Sequence, residues 1–212
     1  MEFRIVKEEE YSAVIDHLRA SFFEDEPLNK AVQLCPAGGG HQELEKQCVE
    51  TMMDGYSIVA VLDGEIVGAA LNGVLRPGDT AKSLEKLRTM DDEKFRKIFT
   101  LLYSVTEKLD LFNRYQVDSI LECRIMSVGS KARGKGLAGE LLKRSINLAR
   151  SSGYKLFKGD ATGKFSQRIC EKNGLETLKE LYYHDYLDPR SGLPVFEVPA
   201  PHETLKIMIL KL

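Results

Sequence analysis

The sequence predicts an α/β fold: one mixed central sheet of about seven strands, with helices on both faces. Three observations carry this expectation. Residues 56–62 and 65–75 read as apolar strands joined by Asp63-Gly64, a dipeptide that suits a two-residue hairpin because both positions accept positive φ. Residues 120–128 read as a strand, 137–152 as an amphipathic helix and 154–157 as a second strand, which together predict a right-handed parallel crossover. A short helix and two more strands follow, so the crossover lies inside a larger mixed sheet.

The elements follow in order. Residues 3–6 form a short strand. Residues 7–23 form a helix with Tyr11, Val14, Ile15, Leu18 and Phe22 on one face. Pro27 ends it or begins a new turn. After the flexible Pro36-Ala37-Gly38-Gly39-Gly40 comes a helix over residues 42–53, closed by Asp54-Gly55. Residues 76–79 form a turn. Residues 91–111 make one long amphipathic helix carrying Phe95, Ile98, Phe99, Leu102, Val105 and Leu109, expected to cover the substrate side. Residues 164–172 form a short helix ended by Asn173-Gly174, 176–187 a strand, 188–194 a loop and 205–210 a final strand.

Composition narrows the function classes. The chain has 212 residues, a formal charge of −2 and 43% hydrophobic residues, which suits a single domain over residues 1–212 with ample core. No basic excess or basic face points to nucleic acid. No apolar run reaches membrane-spanning length, and the charged MEFRIVKEEEY is unlike a signal peptide. A cytoplasmic protein without membrane partners is expected, with a monomer favoured. Cys35, Cys48, Cys123 and Cys170 are widely spaced, so reduced, mostly buried thiols are expected. No His/Cys/Asp/Glu spacing suggests a metal.

The most informative stretch is LECRIMSVGSKARGKGLAGELL, from Leu121 to Leu142. Glycines let a chain turn sharply and admit close approach of a ligand. The first N–H groups of a helix lack internal acceptors and favour an anion such as phosphate, here with Lys131, Arg133 and Lys135 nearby. Three phosphate-loop patterns fit. Gly129 to Lys135 matches G-x-x-x-x-G-K, but Gly136 stands where a magnesium-binding hydroxyl belongs. Gly134, Gly136 and Gly139 match G-x-G-x-x-G, although a dinucleotide fold runs its strand straight into the first glycine. Arg133 to Ala138 matches R-x-x-G-x-A after Met126-Ser127-Val128.

The third pattern resembles the acetyl-coenzyme A loop of the GCN5-related N-acetyltransferase (GNAT) superfamily. Three further segments resemble insect arylalkylamine N-acetyltransferases: Phe22-Phe23-Glu24-Asp25-Glu26-Pro27-Leu28, Thr162 to Leu175, and Ala200-Pro201-His202. The resemblance covers nearly the whole chain. It implies a GNAT fold with a splayed parallel strand pair and an acetyl-CoA-dependent transferase acting on a biogenic arylalkylamine. It also implies direct attack in a ternary complex and no metal.

Residue by residue, it implies Glu26 as general base, with Thr162 and Ser166 in proton relay or site organisation. Met126, Ser127 and Val128 are implied to meet the pantetheine, with the Val128 N–H as carbonyl partner. Arg133, Gly134, Lys135, Gly136, Leu137 and Ala138 are implied to meet the pyrophosphate, and Ser166 the coenzyme as well. His202, with Glu26, is implied at the substrate. The acids Glu24-Asp25-Glu26 are expected to attract a cationic amine. Cys170 stands where many superfamily members have a tyrosine acid, so a hydroxyl, a thiol or water must serve instead. Tyr182, Tyr183 and Tyr186 are expected as strand residues, and Cys123 as a core thiol. The alternatives are a non-catalytic, acetyltransferase-like coenzyme A-binding module, or acetylation of another amine such as histamine or a polyamine.

Overall fold

The computed structural model describes residues 1–212. Seven strands, β1 (Glu2–Ile5), β2 (Ile58–Leu62), β3 (Glu65–Leu75), β4 (Ile120–Val128), β5 (Leu156–Ala161), β6 (Glu176–Tyr182) and β7 (Thr204–Lys211), form one sheet in the order β1-β2-β3-β4-β5-β7-β6. Only β4 and β5 pair in parallel. The β2–β3 turn has Asp63 at φ 52° and Gly64 at φ 83°, the positive pair that the hairpin requires.

The helices are α1 (Tyr11–Ser21), α2 (Pro27–Val32), α3 (Gln42–Met53), α4 (Asp79–Arg88), α5 (Glu93–Lys108), α6 (Leu111–Tyr115), α7 (Leu137–Ser151) and α8 (Lys164–Lys172). Strand alternation divides the core between two faces. One face takes Val59, Ala69, Leu71 and Ile207 against α1, α2, α3 and α5. The other takes Ala60, Ala70, Leu121, Phe157 and Met208 against α7 and α8. Helix α7 is held by Leu137, Leu141, Leu142 and Ile146, all buried, each contributing about 1.5–3 kcal/mol. No helix is long and apolar enough to cross a membrane.

Several boundaries differ from expectation. Helix α4 was not anticipated, and the long helix over 91–111 is really α5 plus α6, broken where Asp110 takes φ 46°. Asp92 sets the start of α5 by accepting from the Phe95 N–H at 2.9 Å. The first helix is a 3-10 turn over Glu8–Glu10 followed by α1. Strand β5 continues four residues past Phe157, because its Lys158 and Asp160 satisfy each other's charge inside the protein. Strand β6 ends at Tyr182, and Tyr183–Asp185 is a 3-10 turn.

The parallel pair is short. It joins Leu121 to Phe157, Glu122 to Lys158 and Cys123 to Gly159, and no further. At that point the β3–β4 register shifts and Arg124 is left over as a bulge. A bulge bends its strand and strengthens the twist. The Arg124 guanidinium folds across Gly73, where any Cβ would lie 2.6 Å from its Cζ. Beyond the bulge, β4 and β5 diverge into a fork.

Candidate active site

The open edge of β4 follows from its pairing. The Gly129 N–H bonds Val67 O at 2.9 Å, and the register runs unbroken from there back to Ile125. By antiparallel alternation, Ser127 and Ile125 also turn their backbone groups to β3. Met126 and Val128 turn theirs to the fork. Ser127 therefore does not share the open edge expected of it. Its side chain is also engaged elsewhere, with its Oγ 2.7 Å from Ser21 Oγ of α1.

A glycine loop joins β4 to α7. Gly134 and Gly136 take φ 78° and 77°, with open space where a Cβ would point. Backbone conformation, rather than crowding, is what demands glycine there. No side chain caps α7, so its first N–H groups remain available to an anion. Lys131 and Lys135 are exposed. Arg133, expected at the pyrophosphate, has two of its side-chain nitrogens engaged within the protein. Its Nη2 donates to Asp25 Oδ2 at 2.8 Å and to Ser21 O at 2.9 Å, while its Nε donates to Val128 O at 3.0 Å. The guanidinium fastens the loop to the end of α1.

Glu26 lies in the segment that Arg133 holds. It is the N-cap of α2, with Pro27 at the first helical position, and its Oε2 accepts from the Asn29 N–H at 2.6 Å. Its Oε1 is buried without a hydrogen-bond partner. Burial pushes the carboxyl above the usual carboxylate range, opposed by the nearby Thr162 hydroxyl, which lies outside hydrogen-bond geometry, and by the Asn29 and Leu28 amides. The acidic run is thus not one solvated steering surface: Glu24 and Asp25 are exposed, Asp25 is paired with Arg133, and the Glu26 carboxylate is enclosed.

Gly163 brings the other residues to Glu26. A Cβ there would lie 2.7 Å from His202 Nδ1 and 3.0 Å from Pro27 Cγ. His202 Nδ1 accepts from the Lys164 N–H at 3.1 Å, so that nitrogen carries no proton, and burial with the nearby Lys30 charge keeps the ring below its ordinary value. Ser166 Oγ donates to Gly163 O at 2.8 Å. Tyr183, expected as a strand residue, is buried and donates its hydroxyl to Thr162 O at 2.6 Å. Its place had no sequence signal beyond an aromatic at the end of a strand.

The whole chain can be set beside known structures. No protein-family model matches it. It superposes on arylalkylamine N-acetyltransferase 2 from Aedes aegypti with a TM-score of 0.96 and 48% identity, covering 99% of this chain and 98% of that one. The chain belongs to the arylalkylamine N-acetyltransferase family. A polyamine N-acetyltransferase of Drosophila melanogaster, described as forming N-acetylagmatine, shares 26% identity over 100% of this chain and 99% of its own, with a TM-score of 0.89. An N-acetyltransferase from Staphylococcus aureus Mu50, 17% identical over 99% and 97% of the two chains at a TM-score of 0.55, shares the fold. The mixed sheet with its diverging parallel pair is the GNAT fold.

Two thiols of this arylalkylamine N-acetyltransferase family member can be placed. Cys170 lies on the buried face of α8, and burial pushes it up to about 12. Burial also raises Cys123, whose Sγ lies 3.7 Å from Ile125 O in the same core. Burial keeps both thiols protonated and packed, so neither offers a thiolate nucleophile.

The root of the fork carries a charged array on the α1 face. Lys158 is fully buried, in contact with Glu122 across the strand pair and 2.6 Å from Asp160 Oδ1. Arg124 Nε lies 3.2 Å from Glu122 Oε2. Burial works to raise the Glu122 carboxyl, but Lys158 and Arg124 hold it down at about 2. Burial pushes Asp160 up to about 6 despite Lys158. The array was not anticipated, because charged residues in a strand read as its end.

Proposed function

We propose that this enzyme transfers acetyl from acetyl-CoA to the primary amine of an arylalkylamine of the dopamine, serotonin or tryptamine kind, by direct attack in a ternary complex. The observation that carries the reading is the enclosed Glu26 carboxylate, with one oxygen unpartnered, near Thr162 and next to the Gly163 turn that meets His202, Pro27 and Ser166. An ammonium cannot attack a thioester until it loses a proton, and a carboxylate raised by burial is suited to accept it.

In this reading the pantetheine lies along the fork-facing backbone edge of Met126 and the Val128 N–H, as an added strand would, with Val128 O held by Arg133. The pyrophosphate meets the N–H groups of Gly134 to Ala138, with Lys135 adding screened charge. The amine nitrogen attacks the thioester carbon, and its proton passes to Glu26, directly or through water. The Val128 N–H stabilises the carbonyl oxygen as it gains charge. The C–S bond breaks as the tetrahedral intermediate collapses, and the departing thiolate takes a proton from Ser166, Thr162 or water. His202, neutral and fixed by the Lys164 N–H, shapes the amine entrance. Family membership and the packed state of Cys123 support direct attack over an acyl-cysteine route.

The test is a panel of amines with acetyl-CoA, followed by release of free coenzyme thiol. Steady turnover of dopamine, serotonin, tryptamine or tyramine is expected. Coenzyme A binding without turnover of any amine would instead make the protein a non-catalytic binding module. Selective turnover of histamine or a polyamine would replace the aryl substrate.

A further inference from the structure

The charged array at the fork lies on a line with the proposed base. Lys158, Asp160 and Thr162 alternate onto one face of β5 and its continuation, so Asp160 sits about 6–7 Å along the chain from Thr162. That face is opposite α7 and α8, whose core takes Phe157 and Ala161. It is thus the side from which an amine meets a thioester held in the fork. Helices α1, α3 and α5 cover this face, and the partly buried Tyr103 of α5 lies near Arg124 and Glu122. Asp160 keeps 18% of its side chain exposed, although Lys158 beside it is fully enclosed.

The chemistry of Asp160 is unusual for a paired acid. Lys158 Nζ pairs with its Oδ1 at 2.6 Å, whereas no protein group donates to its Oδ2. The carboxylate therefore retains acceptor capacity. A ligand that donates to this charged oxygen at a largely enclosed site gains more than a surface hydrogen bond provides. Charge decides which donor. Glu122 and Asp160 contribute two negative charges, and Lys158 and Arg124 two positive ones. A second ammonium or guanidinium would bring an unmatched positive charge into this balanced group, whereas a neutral O–H or N–H would not.

We propose that Asp160 is a specificity-determining residue of the acceptor site, accepting a hydrogen bond from a neutral donor, a phenol hydroxyl or an indole N–H, at the far end of the amine. Lys158 and Glu122 are positioning residues that hold its carboxylate at the fork. The inference rests on the acyl-transfer reading above and selects among the amines that reading allows. It disfavours amines with a second cationic end.

The experiment compares kcat/KM for tyramine, for 2-(4-fluorophenyl)ethylamine, which has similar size but no donor, and for agmatine. The wild-type enzyme should favour tyramine over the fluoro compound by roughly tenfold or more, the low end for a hydrogen bond to a charged group. Agmatine should be poorer than tyramine. In Asp160→Ala the tyramine-to-fluoro ratio should collapse to within about twofold, and a ratio is unaffected by any general loss of activity. The wild-type series stands even if that variant fails to fold. Turnover with a wild-type ratio near one, a ratio retained in Asp160→Ala, or a preference for agmatine would overturn this assignment alone. Complete inertness of the wild type toward all three amines would overturn the acyl-transfer reading with it.

Discussion

Gly163→Ala tests the meeting point of three segments with the smallest possible change. The Gly163 backbone is extended, at φ −144° and ψ 157°, so alanine brings no backbone strain. Its methyl would lie 2.7 Å from His202 Nδ1, 3.1 Å from His202 Cε1 and 3.0 Å from Pro27 Cγ. His202 must move, and its bond from the Lys164 N–H is lost, at about 1 kcal/mol. Pro27 is a rigid ring next to Glu26 and cannot swing aside, which adds about 1–3 kcal/mol of overpacking. The sum is about 2–4 kcal/mol, or roughly 4–16 °C in Tm for a chain of this size. A displacement of the base by about 1 Å can cost about 10²-fold in kcat. Thermal denaturation and steady-state kinetics read the two effects. Gly139→Ala is the stability control, since its Cβ would meet only Asn173 Nδ2, at 3.8 Å, inside α7, and it should hold or raise Tm. A Gly163→Ala enzyme with wild-type Tm and kcat would refute the close approach.

Three other outcomes are expected. Lys158→Met leaves Glu122 and Asp160 facing each other with only Arg124 to compensate, and should cost about 3–5 kcal/mol; much of that loss should return when both acids are also made amides, as read by denaturant unfolding. Gly134→Ala forces a Cβ residue to φ 78°, at about 1–2 kcal/mol, and the displaced loop should weaken coenzyme A binding severalfold by calorimetry; unchanged affinity would count against the loop as the pyrophosphate site. Glu26→Gln should change the pH dependence of stability. Burial raises the folded-state value of Glu26, so its contribution is full below the ordinary carboxylate range and is lost as pH rises through the raised value. The Tm of Glu26→Gln relative to wild type should therefore climb between acid and neutral pH, and a constant difference would contradict the enclosed carboxylate.

Much of the fold was legible because period and punctuation agreed. Helices α3 and α8 were expected with their observed bounds, and the Asp63-Gly64 hairpin and the glycine loop stood where their turn chemistry placed them. What could not be read depended on partners distant in sequence. Lys158 and Asp160 look like the end of a strand until Glu122 is brought beside them by the parallel pairing. Nor could the sequence show that the Arg133 side chain also meets Asp25 and Ser21, 108 and 112 residues away. Tyr183 reads as one more strand aromatic, and only the return of the chain past Thr162 gives its hydroxyl a partner. Helix α4 was overlooked because its ten residues carry few apolar side chains and begin after Gly78 in a left-handed conformation.

The central claim is that the enclosed Glu26 carboxylate removes the proton that keeps the amine from attacking. The direct measurement is kcat for Glu26→Gln beside kcat for Glu24→Gln, at saturating amine and acetyl-CoA, with coenzyme binding checked by calorimetry. Glutamine keeps the shape of the side chain and an oxygen to accept from the Asn29 N–H, but cannot take the proton. Glu24 is exposed and belongs to the same acidic run, so its loss reports any steering effect of that run apart from proton removal. The account predicts a loss of about 10²–10⁴-fold confined to Glu26→Gln, with coenzyme affinity intact. Equal and small losses in both variants would contradict it and leave Glu26 as the N-cap of a short helix.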